Sequence, residues 1–276
     1  MRPDVIAGFS DGVVRWRSPI GDHFPLLHTT DRGWHFELYE SDAVHVGSVG
    51  RGPVFQDDDY VHWNLAQAST AAISASDGSA RWRHDGTSFA CSGKVAVVRE
   101  VSGGRWETWP VRCRYRGTSR YDKGAGTSTY ADLDVVVEGF EVASGRTTWS
   151  VPLGAAVAFM HEAAAATVVS DSEVLVQAET GPVAVSLADG ATRRPGAGEA
   201  FWCATRVVEF EYRETLRLAS GSVNTWRGGT LFDPCTANGE PTSAVPATVA
   251  SYHGVTVGER TVVSTGRGLV AYDRRG

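Results

Sequence analysis

The sequence predicts an all-β protein. Three observations carry that expectation: short apolar runs alternate with period two, Asp-Gly or Ser-Gly turns punctuate them, and tryptophan recurs four residues after the turn glycine. The 31 glycines and 9 tryptophans, against 2 methionines, suit frequent tight turns between half-buried strands. No long amphipathic helical pattern separates the runs.

The clearest copy of the repeat runs from Ala72 through Asp77-Gly78 to Trp82. Glu138 through Ser144-Gly145 to Trp149 matches it, and Ile6 through Asp11-Gly12 to Trp16 keeps the same spacing. Val183 through Asp189-Gly190 to Arg194 keeps everything except the tryptophan. Leu231 to Gly239 is a looser copy, and Leu269 to Gly276 is a truncated one. Each copy reads as a β-hairpin. Alternation buries one strand face, the glycine supplies the positive φ of the turn, and the returning strand carries an indole that can pack on a neighbouring unit.

Successive repeat glycines lie 37 to 67 residues apart, which brackets the length of one four-stranded propeller blade. Alternation marks about two dozen strands, or about six blades at four strands each, with seven the near alternative. Residues 1–276 are therefore expected to form one β-propeller of six or seven blades of four antiparallel strands. Pairing of the N- and C-terminal strands should close the ring, because an unpaired edge invites aggregation. Ala43 to Gly50 reads as a further strand, and the glycine-rich stretch from Arg114 to Ala131 reads as a long loop.

The motif Ala-x-Asp-x-x-Thr-Gly-x-x-x-Trp marks repeats of the pyrroloquinoline-quinone-like β-propellers, and several stretches resemble it. Ala72, Gly78 and Trp82 match, with Ser74 and Asp77 replacing the usual Asp and Thr. Ser144, Gly145 and Trp149 resemble the same segment, and Ala271, Asp273 and Gly276 resemble its first half. The resemblance implies that Trp16, Trp82 and Trp149 dock one blade against the next. Members of that family include quinone-dependent dehydrogenases, outer-membrane assembly scaffolds and sensor domains of kinases. The dehydrogenases carry adjacent cysteines and a calcium-binding acidic set. This chain is much shorter and has no adjacent cysteines, so neither quinone nor any other cofactor is expected.

Composition narrows the function classes. Lys+Arg 26 against Asp+Glu 32 gives a net charge of −6, so no general nucleic-acid binding is expected. The most apolar stretch, Ala155 to Val169, is too short to span a bilayer and holds His161 and Glu162 at its centre. No apolar leader precedes Val5, so the sequence as written reads as cytoplasmic, and as extracytoplasmic if a leader or anchor has been removed. Cys91, Cys113, Cys203 and Cys235 show no zinc-ligand spacing and read as small buried hydrophobes, with one disulfide an alternative.

No motif for chemistry stands out. Neither a Gly-x-Ser-x-Gly elbow, a His-Glu-x-x-His pair nor a phosphate loop is present, so catalytic and metal-binding residues are assigned to none. Asp57-Asp58-Asp59 reads as an exposed acidic loop tip, with calcium the alternative. Of eight histidines, His23, His28, His35, His45 and His62 crowd the first quarter and read as surface or hydrogen-bonded side chains. Trp34, Trp63, Trp106, Trp109, Trp202 and Trp226 read as packing residues. The segment Arg112, Arg114, Tyr115, Arg116, Arg120, Tyr121 and Lys123 is the candidate binding surface, a basic-aromatic patch in an acidic protein. The expected function is a non-catalytic scaffold or sensor that binds a protein or peptide. An enzyme (hydrolase, lyase or oxidoreductase) acting at the central channel and a carbohydrate-binding propeller are the alternatives.

Overall fold

A computed structural model describes residues 5–24, 34–39, 44–49, 55–88, 98–101, 105–160, 167–170, 172–196, 199, 201–218, 221–237, 255–257, 260–265 and 268–273. Gly239, Gly276, Cys91, His28, His161 and Glu162 lie outside them. The described chain is overwhelmingly β, and every strand pairing in it is antiparallel.

The chain opens with a hairpin of β1 (Val5–Ser10) and β2 (Val13–Pro19), followed by the single helical turn α1 (Ile20–His23). Next come β3 (Trp34–Tyr39), β4 (Val44–Val49), β5 (Phe55–Gln56), β6 (Tyr60–Asn64), β7 (Ser69–Ser74) and β8 (Ala80–Asp85). Of these, β3, β4, β7 and β8 form a four-stranded meander, while β5 and β6 leave it as an inserted hairpin. Then follow β9 (Thr87–Ser88), a separate hairpin of β10 (Val98–Val101) and β11 (Arg105–Thr108), and the long strands β12 (Val111–Asp122) and β13 (Thr127–Phe140). With β14 (Thr147–Gly154) they build a six-stranded sheet, ordered β14-β13-β12-β6-β5 with β9 also on β12.

The single turn α2 (Val157–Met160) leads to β15 (Thr167–Ser170), β16 (Glu173–Ala178), β17 (Gly181–Ser186), β18 (Thr192–Arg193), β19 (Phe201–Leu218) and β20 (Gly221–Cys235). Their order is β18-β17-β16-β15-β19-β20. A three-stranded sheet of β21 (Val255–Val257), β22 (Arg260–Thr265) and β23 (Gly268–Asp273) ends the chain.

The sheets thus differ from the uniform four-stranded blades expected. Inserted and extended hairpins add strands to two of them, and only one described sheet has four. Ring closure by terminal strands is not found either. Among the described residues β1 pairs only with β2, and β23 only with β22.

Successive units are joined by their indoles. The Trp16 indole nitrogen donates to the Ala75 carbonyl at 2.7 Å, and the Trp82 nitrogen to the Val142 carbonyl at 2.8 Å. A Cβ on Gly78 would overlap the Trp16 ring, one on Gly145 the Trp82 ring, and one on Gly190 the Trp149 ring. The turn glycine of these three repeats therefore does two things. It adopts a positive φ of 70° to 74° at these three positions, and it leaves a seat for the preceding unit's tryptophan. In the fourth copy the equivalent position is Arg194, which is exposed.

The main core gathers Val111, Cys113, Tyr115, Val135 and Val137 from β12 and β13, Val151 and Leu153 from β14, and Val174, Val176 and Val185 from β16 and β17. Period two explains the selection: residues 111, 113 and 115 point inward, and 112, 114 and 116 lie on the opposite face. Two of the four cysteines are described at side-chain level. Cys113 and Cys235 are both buried, as expected, and both disulfide-bonded, which is the alternative to their reading as simple buried hydrophobes. The apolar stretch from Ala155 holds α2 and β15, and among the described residues no helix is long and apolar enough to cross a membrane.

Candidate interaction surface

The expected loop from Arg114 to Ala131 is a hydrogen-bonded hairpin. Its Thr, Tyr and Arg residues suit extended backbone, and its glycines sit only where the strand must break or turn. Gly117, with φ of 95°, forms a bulge opposite Ala131 and Asp132, where a Cβ would collide with backbone oxygen. Gly124 and Gly126 lie in the turn between β12 and β13.

The bulge divides β12. Before it, Val111 to Arg116 belong to the core sheet; beyond it, Thr118 to Asp122 pair with Asn64 to Tyr60 of β6 on one side and with β13 on the other. The outer part is thus an extension of the six-stranded sheet through β5, β6, β12 and β13, in which β6 and β12 residues nearly 60 positions apart are paired. One face packs inward through Trp63 and Tyr130 against the main core. The other carries Phe55, Tyr60, His62, Thr118, Arg120 and Thr129, matched across the strands by register.

On that outward face Phe55 is 56% exposed, and its ring centroid lies 5.7 Å from that of His62. Tyr60 is 6.3 Å from His62, and the Arg120 guanidinium sits 4.8 Å above the Tyr60 ring. Cation–π attraction at that distance holds the Arg120 head group over the ring. No carboxylate pairs with Arg120 or Arg116 among the described residues.

The structure divides the sequence-expected patch into three groups. Arg112 and Tyr115 are each 1% exposed and leave the binding set, because strand alternation turns one toward a buried carboxylate and the other into the core. Arg112 donates from Nε to Glu138 at 3.2 Å and from Nη2 to the Thr147 hydroxyl at 3.0 Å, while Arg114 donates to the other Glu138 oxygen at 2.7 Å. The remaining residues, Arg116, Arg120, Tyr121 and Lys123, lie at or beyond the bulge. Arg116, Arg120 and Lys123 are exposed, and Tyr121 packs its ring 6.5 Å from Trp63 on the inner face.

Asp57 to Asp59 form the turn between β5 and β6. The Asp57 carboxylate accepts the Tyr60 and Asp59 amides, and the Tyr60 amide first of all holds its pKa below the usual carboxylate value. Lys123 answers from the neighbouring turn, its ammonium donating to the Asp57 carbonyl and its amide to that of Asp59. The acidic run is therefore a hairpin turn whose Asp57 carboxylate is held by backbone amides. Among the described residues no three His, Cys, Asp or Glu side chains converge as metal ligands. His62 is among the histidines expected at the surface or hydrogen-bonded, whereas Phe55 and Tyr60 are missed by the sequence reading, although the residues from 60 to 64 carry a strand signal.

No known family's profile matches this chain, and no curated protein matches it. Among solved structures it is similar to the crystal structure of BamB from Moraxella catarrhalis, at 14% identity and a TM-score of 0.33. The match covers 99% of this chain and 65% of that one, so the chain spans less than two thirds of its length.

Proposed function

We propose that this protein is a non-catalytic β-propeller scaffold of the quinoprotein-like repeat type, which binds a protein or peptide on the outward face of the β5-β6-β12-β13 sheet. The observation that carries the reading is the cluster of exposed Phe55 and Arg120 with half-buried Tyr60 on a strand-paired platform. Aromatic and arginine side chains held rigid on a surface are the residue types that dominate protein interfaces. Repeated seating of an indole on the next unit's turn supports the propeller architecture. Affinity capture with the full chain tests the contact face. The triple variant Phe55→Ala, Tyr60→Ala, Arg120→Ala should retain less than about a tenth of the captured partner, since each lost anchor costs about 1–2 kcal/mol. Equal capture by wild type and variant, with matching circular dichroism, would discard this face.

The bonded state of Cys113 and Cys235 supports the extracytoplasmic alternative, because disulfides persist in oxidising compartments. Reduction should lower the stability measured in urea by about 2–5 kcal/mol. Thiol labelling of the unreduced, denatured chain should leave both cysteines unmodified. Labelling at either position would reject the extracytoplasmic assignment.

A further inference from the structure

Trp82 and His84 stand two residues apart on β8, so both point to the same side of the strand. Their rings are 5.6 Å apart, and both meet the turn at Gly145: an added Cβ there would overlap the indole and come within 2.9 Å of His84 Nε2. At the corresponding place after Trp149 stands Val151. The strand seated on Gly145 thus carries a titratable ring two residues after its tryptophan, where the strand seated on Gly190 carries an aliphatic side chain.

The charged groups facing His84 are Arg112 from β12, Glu138 from β13 and Asp85 from its own strand. Both carboxylates are already engaged. Glu138 is shared between Arg112 and Arg114, and Asp85 pairs with Arg83 at 3.0 Å. Arg112 in turn keeps one buried guanidinium nitrogen, Nη1, without a hydrogen-bond acceptor among the described residues. Two of these three groups are carboxylates, but each already neutralises an arginine, so a proton on His84 would meet the Arg112 guanidinium without a free counter-charge.

We propose that this junction is an acid-released clasp, in which protonation of His84 beside Arg112 unseats the Trp82 indole from the turn at Gly145. Burial, and then Arg112, lower the pKa of His84 below the ordinary 6.5. A histidine with a lowered folded-state value stabilises the fold fully above its unfolded value, and that contribution is lost as pH falls through the folded value. The clasp is therefore closed at neutral pH and opens on acidification. His23 adds a separate sensitivity at the first hairpin, where its Nε2 lies 2.8 Å from the Ser18 hydroxyl and burial likewise lowers its pKa. A variant at position 84 separates the two.

Amide exchange reads the clasp directly. The Gly145 amide is bonded to the Glu141 carbonyl and the Gly190 amide to the Ser186 carbonyl, so the first reports the proposed clasp and the second is an internal reference. Between pH 7.5 and 5.0 the amide of Gly145 should lose protection relative to that of Gly190, and the loss should grow as the pH is lowered. The Trp82 indole proton should lose protection in step. In His84→Gln, neutral at every pH, the ratio should stay constant. The proposal is overturned by a constant ratio in wild type, or by the same fall in His84→Gln. A histidine resonance titration placing His84 at or above 6.5 in the wild-type protein would overturn it independently of the variant's folding.

Discussion

Replacing Glu138 with alanine should destabilise the protein by about 3–5 kcal/mol in urea unfolding, because it strands a buried guanidinium without its counter-charge. Glu138 has a side chain 6% exposed and binds two arginines, of which Arg112 is buried and Arg114 is 35% exposed. Only the Arg112 pair is shielded from water, so the loss should come mainly from that pair. Arg112 also lies 5.2 Å from the centre of the Phe140 ring, which adds contact but no acceptor. The double variant Arg112→Met, Glu138→Leu should recover most of the loss, since apolar side chains of similar volume can replace a buried pair at little net cost. A loss below about 1 kcal/mol in Glu138→Ala would show that Arg112 is hydrated and that the pair is not a fastening of the sheet.

Trp82→Ala should cost about 3 kcal/mol, the lower end of the range for removing an aromatic ring from a packed site. The ring is half-buried, which argues for that end. It packs on Ala72, Phe140 and Val142, makes an edge contact with Phe140 at 5.7 Å, and donates its indole proton to Val142. Val13→Ala, at a position 55% exposed, is the matched control and should stay within about 0.5 kcal/mol. Comparable midpoints for the two variants in the same denaturant series would refute the idea that the indole holds neighbouring units together.

These two predictions mark where the sequence could be read and where it could not. The repeat was legible because everything it needs is local: an Asp-Gly or Ser-Gly turn, alternation before it and an indole four residues later. Trp16, Trp82 and Trp149 could be picked out on that basis alone. Uniform four-stranded blades could not, because the strands that enlarge two sheets come from insertions. Pairing of β6 with β12 joins residues nearly 60 positions apart, and nothing in either segment names the other.

The basic segment shows the same division at finer scale. Arg112, Arg114 and Arg116 look alike as a string of cations, yet their burial falls stepwise along one strand from buried to exposed. What separates them is the Glu138 carboxylate on the adjacent strand, placed opposite Arg112 by register. Alternation could have removed Tyr115 from the surface set, since it shares a face with Val111 and Cys113. The glycines at 117, 124 and 126 suggested irregular chain, but a bulge and a turn within a continuous hairpin require glycine just as much.

The outer sheet also has a mechanical consequence. Its β6 strand is spliced into the meander that ends in Trp82, while β12 belongs to the sheet on which that indole rests. The two modules therefore share a strut of five ladder partners, Tyr60 to Asn64 against Asp122 to Thr118. Freeing the indole would leave them tethered, so the modules could swivel about the strut without parting. A pulling force across the joint would have to shear that ladder before the modules could separate.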